Sequence, residues 1–370
     1  MSDLMQEKQF SEILENLSDE LDVTPSQYED AERKYKAVGE WLATPGSLLA
    51  DFRPEIYPQG SIKLGTAVKP VEGNEFDVDL VCEMKALPLL DQKTVKDLVG
   101  VRLSNNENYR KMLQEKKRCW RLDYAGQFHM DILPARPDLH KGNGCVLVPD
   151  RDLKEWKESN PKGYASWFED RMVVIRAKMA RMYAEIEDLP DNGRLRTPLQ
   201  RAVQILKRYR DVVFKNKQDN APLSIIITTL AAKAYTNEAD LFIALMEIIQ
   251  GMPRQIQYIN GQPAVLNPTN PAENFAEKWI SNPELYEIFR QWLGALRRDL
   301  LSVLPRRGMA AITEDLSPMF GEHTVSKAVL RYADNMELRR STGLLRMTSG
   351  SGTLGTMAGT PLRKNTFFGD

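Results

Sequence analysis

The amino-acid pattern predicts an α/β protein of two lobes, a mixed sheet that carries acidic residues followed by a helical lobe. Three observations lead there. Between residues 55 and 133 short apolar runs alternate with polar residues at the period of strands, from about 167 to 340 the apolar period becomes helical, and three aspartates sit inside the strand-like runs. The expected division is 1–165 for the sheet lobe with its N-terminal helices, 166–345 for the helical lobe and 346–370 for a flexible tail.

The elements follow in order. Phe10, Ile13, Leu14, Leu17 and Leu21, then Tyr35, Val38, Trp41 and Leu42, recur at helical spacing on either side of Val23-Thr24-Pro25-Ser26. Thr24 or Ser26 can cap there and Pro25 can sit in a first turn, so two helices open the chain. Strands are expected at 55–58, 76–82, 119–124 and 127–133, the last stopped by Pro134. A helix at 172–187 ends in the turn 189–193, and a long one runs from 197 to about 217 with Thr197 as cap and Pro198 in first position. Further helices are expected at 224–235, 239–252, 272–280, 285–304 and 323–340. Residues 347–359 are rich in Gly, Ser and Thr without periodicity and read as a mobile linker.

The chain has 370 residues, 42% hydrophobic and 27% charged, with 50 basic side chains against 51 acidic ones. That is a globular composition with room for two domains, and it offers no global basic field, so no obligatory nucleic-acid partner is expected. Cys82, Cys119 and Cys145 are odd in number and lack a C-x-x-C spacing, which argues against a disulfide framework or zinc knuckle and fits a reducing cytoplasm. The N-terminus has no basic stretch leading into an apolar one, and no run reaches the roughly 18 apolar residues of a membrane span. A cytoplasmic protein without a membrane partner is expected.

Asp77 and Asp79 are two apart in an apolar strand pattern, so both project from one face while Phe76, Val78 and Leu80 cover the other. Adjacent carboxylates raise each other's pKa unless a cation neutralises them, and an all-oxygen donor set suits Mg²⁺. Asp131, between Met130 and Ile132, is a third acid in an apolar strand and likewise needs a partner or a metal. Three carboxylates on neighbouring strands can hold two metal ions for phosphoryl transfer, which makes a nucleotide the expected substrate. Upstream, Gln59-Gly60-Ser61 supplies a turn whose glycine permits close approach and whose hydroxyl and following amides can bind phosphate.

These segments, Tyr57-Pro58-Gln59-Gly60-Ser61, then Glu75-Phe76-Asp77-Val78-Asp79-Leu80-Val81, then Phe128-His129-Met130-Asp131-Ile132-Leu133-Pro134-Ala135, resemble the polymerase-β-like nucleotidyltransferases. Within them the chain is similar over nearly its whole length to the bacterial relatives of cyclic GMP–AMP synthase and oligoadenylate synthase, the CD-NTase group. The resemblance implies a polymerase-β-like fold in which Asp77, Asp79 and Asp131 hold two Mg²⁺ ions, with Mn²⁺ able to substitute, and Asp131 takes the proton of the acceptor hydroxyl. It implies that nucleoside triphosphates such as ATP and GTP are joined, with release of pyrophosphate, into a cyclic di- or trinucleotide that activates a separate effector in bacterial anti-phage defence (CBASS).

Lys207, in Leu206-Lys207-Arg208-Tyr209, is similar to the family's phosphate-contacting lysine, and Ser224 to its phosphate-binding serine. At ~100° per residue Val203, Leu206, Val213 and Phe214 form one apolar helix face with Lys207 at its edge and Arg210 near its middle, where Arg210 can pair with an acid such as Asp211. Asn267 stands where the family often has Asp and receives no metal role, and His129 receives no catalytic one. The basic runs at 116–118, 297–298, 306–307 and 339–340 read as solvated faces. The tail, which ends in Phe367-Phe368-Gly369-Asp370, resembles tails joined to partners by a conjugation enzyme, with Gly369 exposed by trimming or Asp370 itself linked. Two other readings share the acids: an enzyme that extends tRNA or poly(A)-type RNA ends, and an inactive nucleotide-sensing scaffold. Near-neutral charge counts against the first, and retention of all three acids with Gly60-Ser61 counts against the second.

Overall fold

The computed structural model describes residues 2–71, 75–86, 90–142, 144–150, 155–184, 195–347, 354–355 and 360–361. Two helices, α1 (Ser2–Leu21) and α2 (Pro25–Ala43), open it, and α2 starts in a capping box in which Thr24 and Gln27 bond each other's backbone amides. Then come β1 (Pro54–Gln59), the short α3 (Gly60–Leu64), β2 (Phe76–Met84), α4 (Gln92–Ser104), α5 (Glu107–Met112), β3 (Leu113–Glu115), β4 (Trp120–Tyr124), β5 (Phe128–Pro137), β6 (Val146–Asp150) and β7 (Glu155–Ser159). The sheet order is β1-β2-β5-β4-β3, with β6 joined to the far end of β5 and β7 beyond it, and β2 and β5 run parallel while the other pairs are antiparallel. It is the mixed sheet expected.

Alternation decides its two faces. Phe76, Val78 and Leu80 of β2, Leu122 of β4 and Phe128, Met130 and Ile132 of β5 are buried beneath Val38 and Leu42 of α2 and Val95, Val99 and Leu103 of α4. The intervening residues, acidic and basic, face the other way.

The helical part comprises α6 (Pro161–Asp170), α7 (Val173–Ala184), α8 (Pro198–Val213), α9 (Ser224–Ala234), α10 (Leu241–Gly251), the hairpin β8 (Gln257–Ile259) and β9 (Gln262–Ala264), β10 (Leu266–Asn267), β11 (Asn270–Asn274), α11 (Lys278–Ser281), α12 (Glu284–Val303), α13 (Met309–Phe320) and α14 (Glu322–Ser341). Its core takes in α1: Phe10, Ile13, Leu14, Leu17 and Leu21 pack with residues of α8, α10 and α14, not with the sheet. The helix expected at 272–280 is instead the β10–β11 pair and a single turn. Asn267 Oδ1 caps the turn between the two strands through the Thr269 amide, and Asn274 Oδ1 accepts from the amides of Val265 and Ala276, which holds the segment as a strand pair.

In the segment expected to be a flexible tail, β12 (Arg346–Met347) pairs with β13 (Leu354–Gly355) and β14 (Thr360–Pro361). The conjugation site expected at Gly369 or Asp370 and the turn at 189–193 lie outside the described residues. Among the described residues no helix is long and apolar enough to cross a membrane.

Candidate active site

The sheet register builds the site. Asp79 lies opposite Asp131 on the parallel neighbour, Gln59 opposite Asp79 on one side and Arg121 opposite Asp131 on the other, so these four form one row across the polar face. The next row is Asp77, His129 and Asp123. Strand alternation puts the three aspartates on one face, and the register puts them side by side.

Their electrostatics follow. Burial pushes the Asp79 carboxyl up to about 7, and Asp77 and Asp131 push in the same direction. Desolvation by the cleft walls also raises Asp77, against the pull of Arg121. Arg121 donates from Nε to Asp131 Oδ1 at 2.7 Å and from Nη2 to Asp131 Oδ2 at 2.8 Å, and Nη2 reaches Asp77 Oδ1 at 3.4 Å. Sequence reasoning missed this arginine. The signal was a cation alternating with Trp120 and Leu122 in an apolar strand, hence on the acids' face. His129 lies between acids, Nε2 at 3.2 Å from Glu75 Oε2 and Nδ1 at 3.6 Å from Asp77 Oδ1, and Glu75, Asp123 and His129 bring ligand atoms within 4.8 Å of one another.

Gly60 adopts φ +63°, and a Cβ there would stand 2.2 Å from Asp79 Oδ2. Only glycine allows this approach, which places the start of α3 and Ser61 against the acids. From the other side α8 holds the loop after α3 through a polar stripe: Gln200 Nε2 donates to the Leu64 carbonyl at 2.9 Å, Gln204 Nε2 to Ala67 at 2.8 Å and Arg208 Nη2 to Lys69 at 2.7 Å.

Lys207 belongs to that stripe and is not at a helix edge. It is 6% exposed, and its Nζ donates to the carbonyl and hydroxyl of Thr66 at 3.0 and 3.2 Å. Both flanks of α8 are covered, because the loop 64–69 lies on the side the apolar periodicity left open. Burial lowers the ammonium's pKa to about 7, and Arg210 adds to the effect. Arg210 pairs with Asp211 at 2.8 Å and donates to Ser224 Oγ, while Val213 is exposed. Arg118, expected on a solvated face, donates to the fully buried Asp150 at 2.8 Å.

Two cavities meet at this face. One, of 970 Å³, is lined by Ser61, Asp77, Arg121, Lys207, Arg210 and Ser224; the other, of 860 Å³, by Gln59, Arg118, Trp156, Asn160, Glu273 and Lys278 among others. Gly60, Leu64, Asp79 and Ile225 belong to both walls. Of the Arg121–Asp131 pair, it is Arg121 that lines the first.

The model of the Second Messenger Oligonucleotide or Dinucleotide Synthetase domain matches residues 5–171. The chain is 31% identical to the c-di-GMP synthase of Roseivirga ehrenbergii over 98% of both chains. It is 24% identical to the cyclic dinucleotide synthase CdnG of Bradyrhizobium diazoefficiens, over 86% of this chain and 82% of that protein. The solved structure of that CD-NTase with GTP matches with a TM-score of 0.72 and 21% identity, over 88% of this chain and 98% of that one. The chain belongs to the CD-NTase family. Escherichia coli DncV in its 3′-deoxy GTP-bound form matches at a TM-score of 0.56 and 18% identity, over 89% of this chain and 90% of that one, which bears out the polymerase-β-like fold.

As a CD-NTase the chain is a nucleotidyltransferase, and its acidic face fits a divalent cation. Three carboxylates converge there, the half-buried Asp79 held well above its ordinary pKa by desolvation first and then by Asp77 and Asp131, and their hard oxygens are the donors such an ion takes.

Proposed function

We propose that this CD-NTase joins two guanosine triphosphates into a cyclic dinucleotide. The supporting observation is the meeting of two nucleotide-sized cavities at Gly60 and Asp79, so that a donor and an acceptor can face each other across the acids. The product assignment draws on the relatives' names as c-di-GMP and cyclic dinucleotide synthases.

In this reading the donor triphosphate occupies the cavity lined by Ser61, Lys207, Arg210 and Ser224, whose hydroxyls and cations suit phosphate oxygens. The acceptor occupies the second cavity and presents a sugar hydroxyl toward Asp79. Asp77, Asp79 and Asp131 would hold two Mg²⁺ ions, or Mn²⁺ in their place, which when bound lower the hydroxyl's pKa and offset charge on the leaving pyrophosphate. The hydroxyl oxygen forms a bond to the donor's α-phosphorus, the bond to pyrophosphate breaks, and Asp131 takes the hydroxyl proton. A second transfer in the same cleft closes the ring. Gln59 and Gly60 shape the junction between the two cavities, with residues 1–165 supplying the acids and 166–345 the opposing wall.

We place the enzyme in the cytoplasm, its product acting on a separate effector in anti-phage defence. Joining of the tail at Gly369 or Asp370 to a partner belongs to the same proposal and is checked by mass spectrometry of adducts after co-expression with neighbouring genes. For the activity itself, purified protein is incubated with all four triphosphates and Mg²⁺, with and without RNA, and phosphatase-resistant products are analysed by mass spectrometry. Cyclic di-GMP without RNA is expected. Elongated RNA, or no product under any condition, would refute the proposal in favour of an RNA-end-extending enzyme or an inactive scaffold.

A further inference from the structure

The third acid of the face is occupied by this chain's own side chain. Both oxygens of Asp131 accept from the Arg121 fork, at 2.7 and 2.8 Å, and the same guanidinium reaches Asp77 at 3.4 Å. Cross-strand register makes the pair directly opposite neighbours, so it needs no loop to hold it. Arg121 is 22% exposed and Asp131 18%, which shields the pair in part from solvent. A bidentate arginine–carboxylate pair is among the stronger charge-assisted contacts, and it claims the oxygens a cation would need.

We propose that Arg121 is the resident counter-cation of the acidic face: it competes with divalent metal for Asp131 and gives way when a nucleotide's phosphates enter the cavity it lines. This rests on Asp77, Asp79 and Asp131 being the metal ligands. Asp77 and Asp79 face the cavity, so they can share one cation while Arg121 stays in place. Full loading requires the guanidinium to leave Asp131. The 970 Å³ cavity beside it receives the triphosphate, whose oxygens offer the fork a replacement partner of the same charge. Binding of nucleotide and completion of the metal site are thereby coupled, and the acids carry a counter-charge in the interval between turnovers. Arg121 is a positioning residue in this scheme, acting through Asp131.

The test is a Mn²⁺ titration of the full chain, stripped with EDTA and followed by electron paramagnetic resonance, with and without a non-hydrolysable GTP analogue. The wild type is expected to take one Mn²⁺ readily and a second only weakly until the analogue is added. In Arg121→Met the second Mn²⁺ should bind about tenfold more tightly or better without nucleotide, and the analogue should add little. Arg121→Lys keeps the charge and loses the fork, so the same tightening is expected in reduced measure. Tightening in Arg121→Met alone would reduce the effect to a change of local field and overturn the competition. Unchanged or weaker Mn²⁺ binding in both variants would also overturn it and leave Arg121 as a brace for Asp131. Asp77→Asn with Asp79→Asn is the control: if it binds Mn²⁺ as the wild type does, the assignment of the acids fails, independently of Arg121.

Discussion

Replacing Asp79 by asparagine should make the metal-free protein more stable at pH 8 while removing its activity. The carboxyl's pKa rises from an ordinary 3.8 to about 7 on folding, through burial first and then the charges of Asp77 and Asp131. A carboxyl raised in the folded state binds more protons there than in the unfolded chain, so stability falls as pH rises from about 4 to about 7. At 1.36 kcal/mol per unit the full penalty above pH 7 is about 4 kcal/mol, an order-of-magnitude figure, and it shrinks to about 1 kcal/mol near pH 4.5. Asparagine keeps the shape that Gly60 approaches and removes the charge. In EDTA at pH 8 the variant should therefore melt at least about 5 °C above the wild type by calorimetry, and the gain should fade at pH 4.5. Adding Mg²⁺ should raise the wild type and close the gap, because the cation offsets the repulsion the substitution removed. A variant no more stable than the wild type at pH 8 in EDTA, or one with the same increment at both pH values, would refute the reasoning.

Asp77→Asn combined with Asp79→Asn should leave the circular dichroism spectrum unchanged and abolish product in Mg²⁺, as read by mass spectrometry. Gly60→Ala places a Cβ 2.2 Å from Asp79 Oδ2 at φ +63°. A left-handed alanine costs about 1–2 kcal/mol, and displacing the acid should lower pyrophosphate release by about a hundredfold with only a modest loss of melting temperature. Lys207→Met should weaken binding of a GTP analogue about tenfold by calorimetric titration, the loss of one charge-assisted contact. Unchanged affinity would restrict Lys207 to holding Thr66.

Local signals in the chain reached the acidic face. Period-two alternation put Asp77 and Asp79 on one face of a strand, with Asp131 in a second one, and the caps expected at Thr24 or Ser26 and at Thr197 are met by capping boxes at Thr24 and Thr197. Each depends on residues two to four apart, where backbone geometry fixes the relation. The helix expected at 272–280 went wrong because Asn267 and Asn274 side chains hold a β turn there that apolar spacing does not record. What joins residues far apart in the chain was decided by packing alone. The parallel register of β2 on β5 sets Asp79 beside Asp131, the fork of Arg121 takes both of that acid's oxygens, and the loop 64–69 folds onto α8 and buries Lys207. The chain by itself determined which residue types share a face; which faces meet, and which charge ends beside which, was settled only when the tertiary structure brought them together and removed part of their solvent.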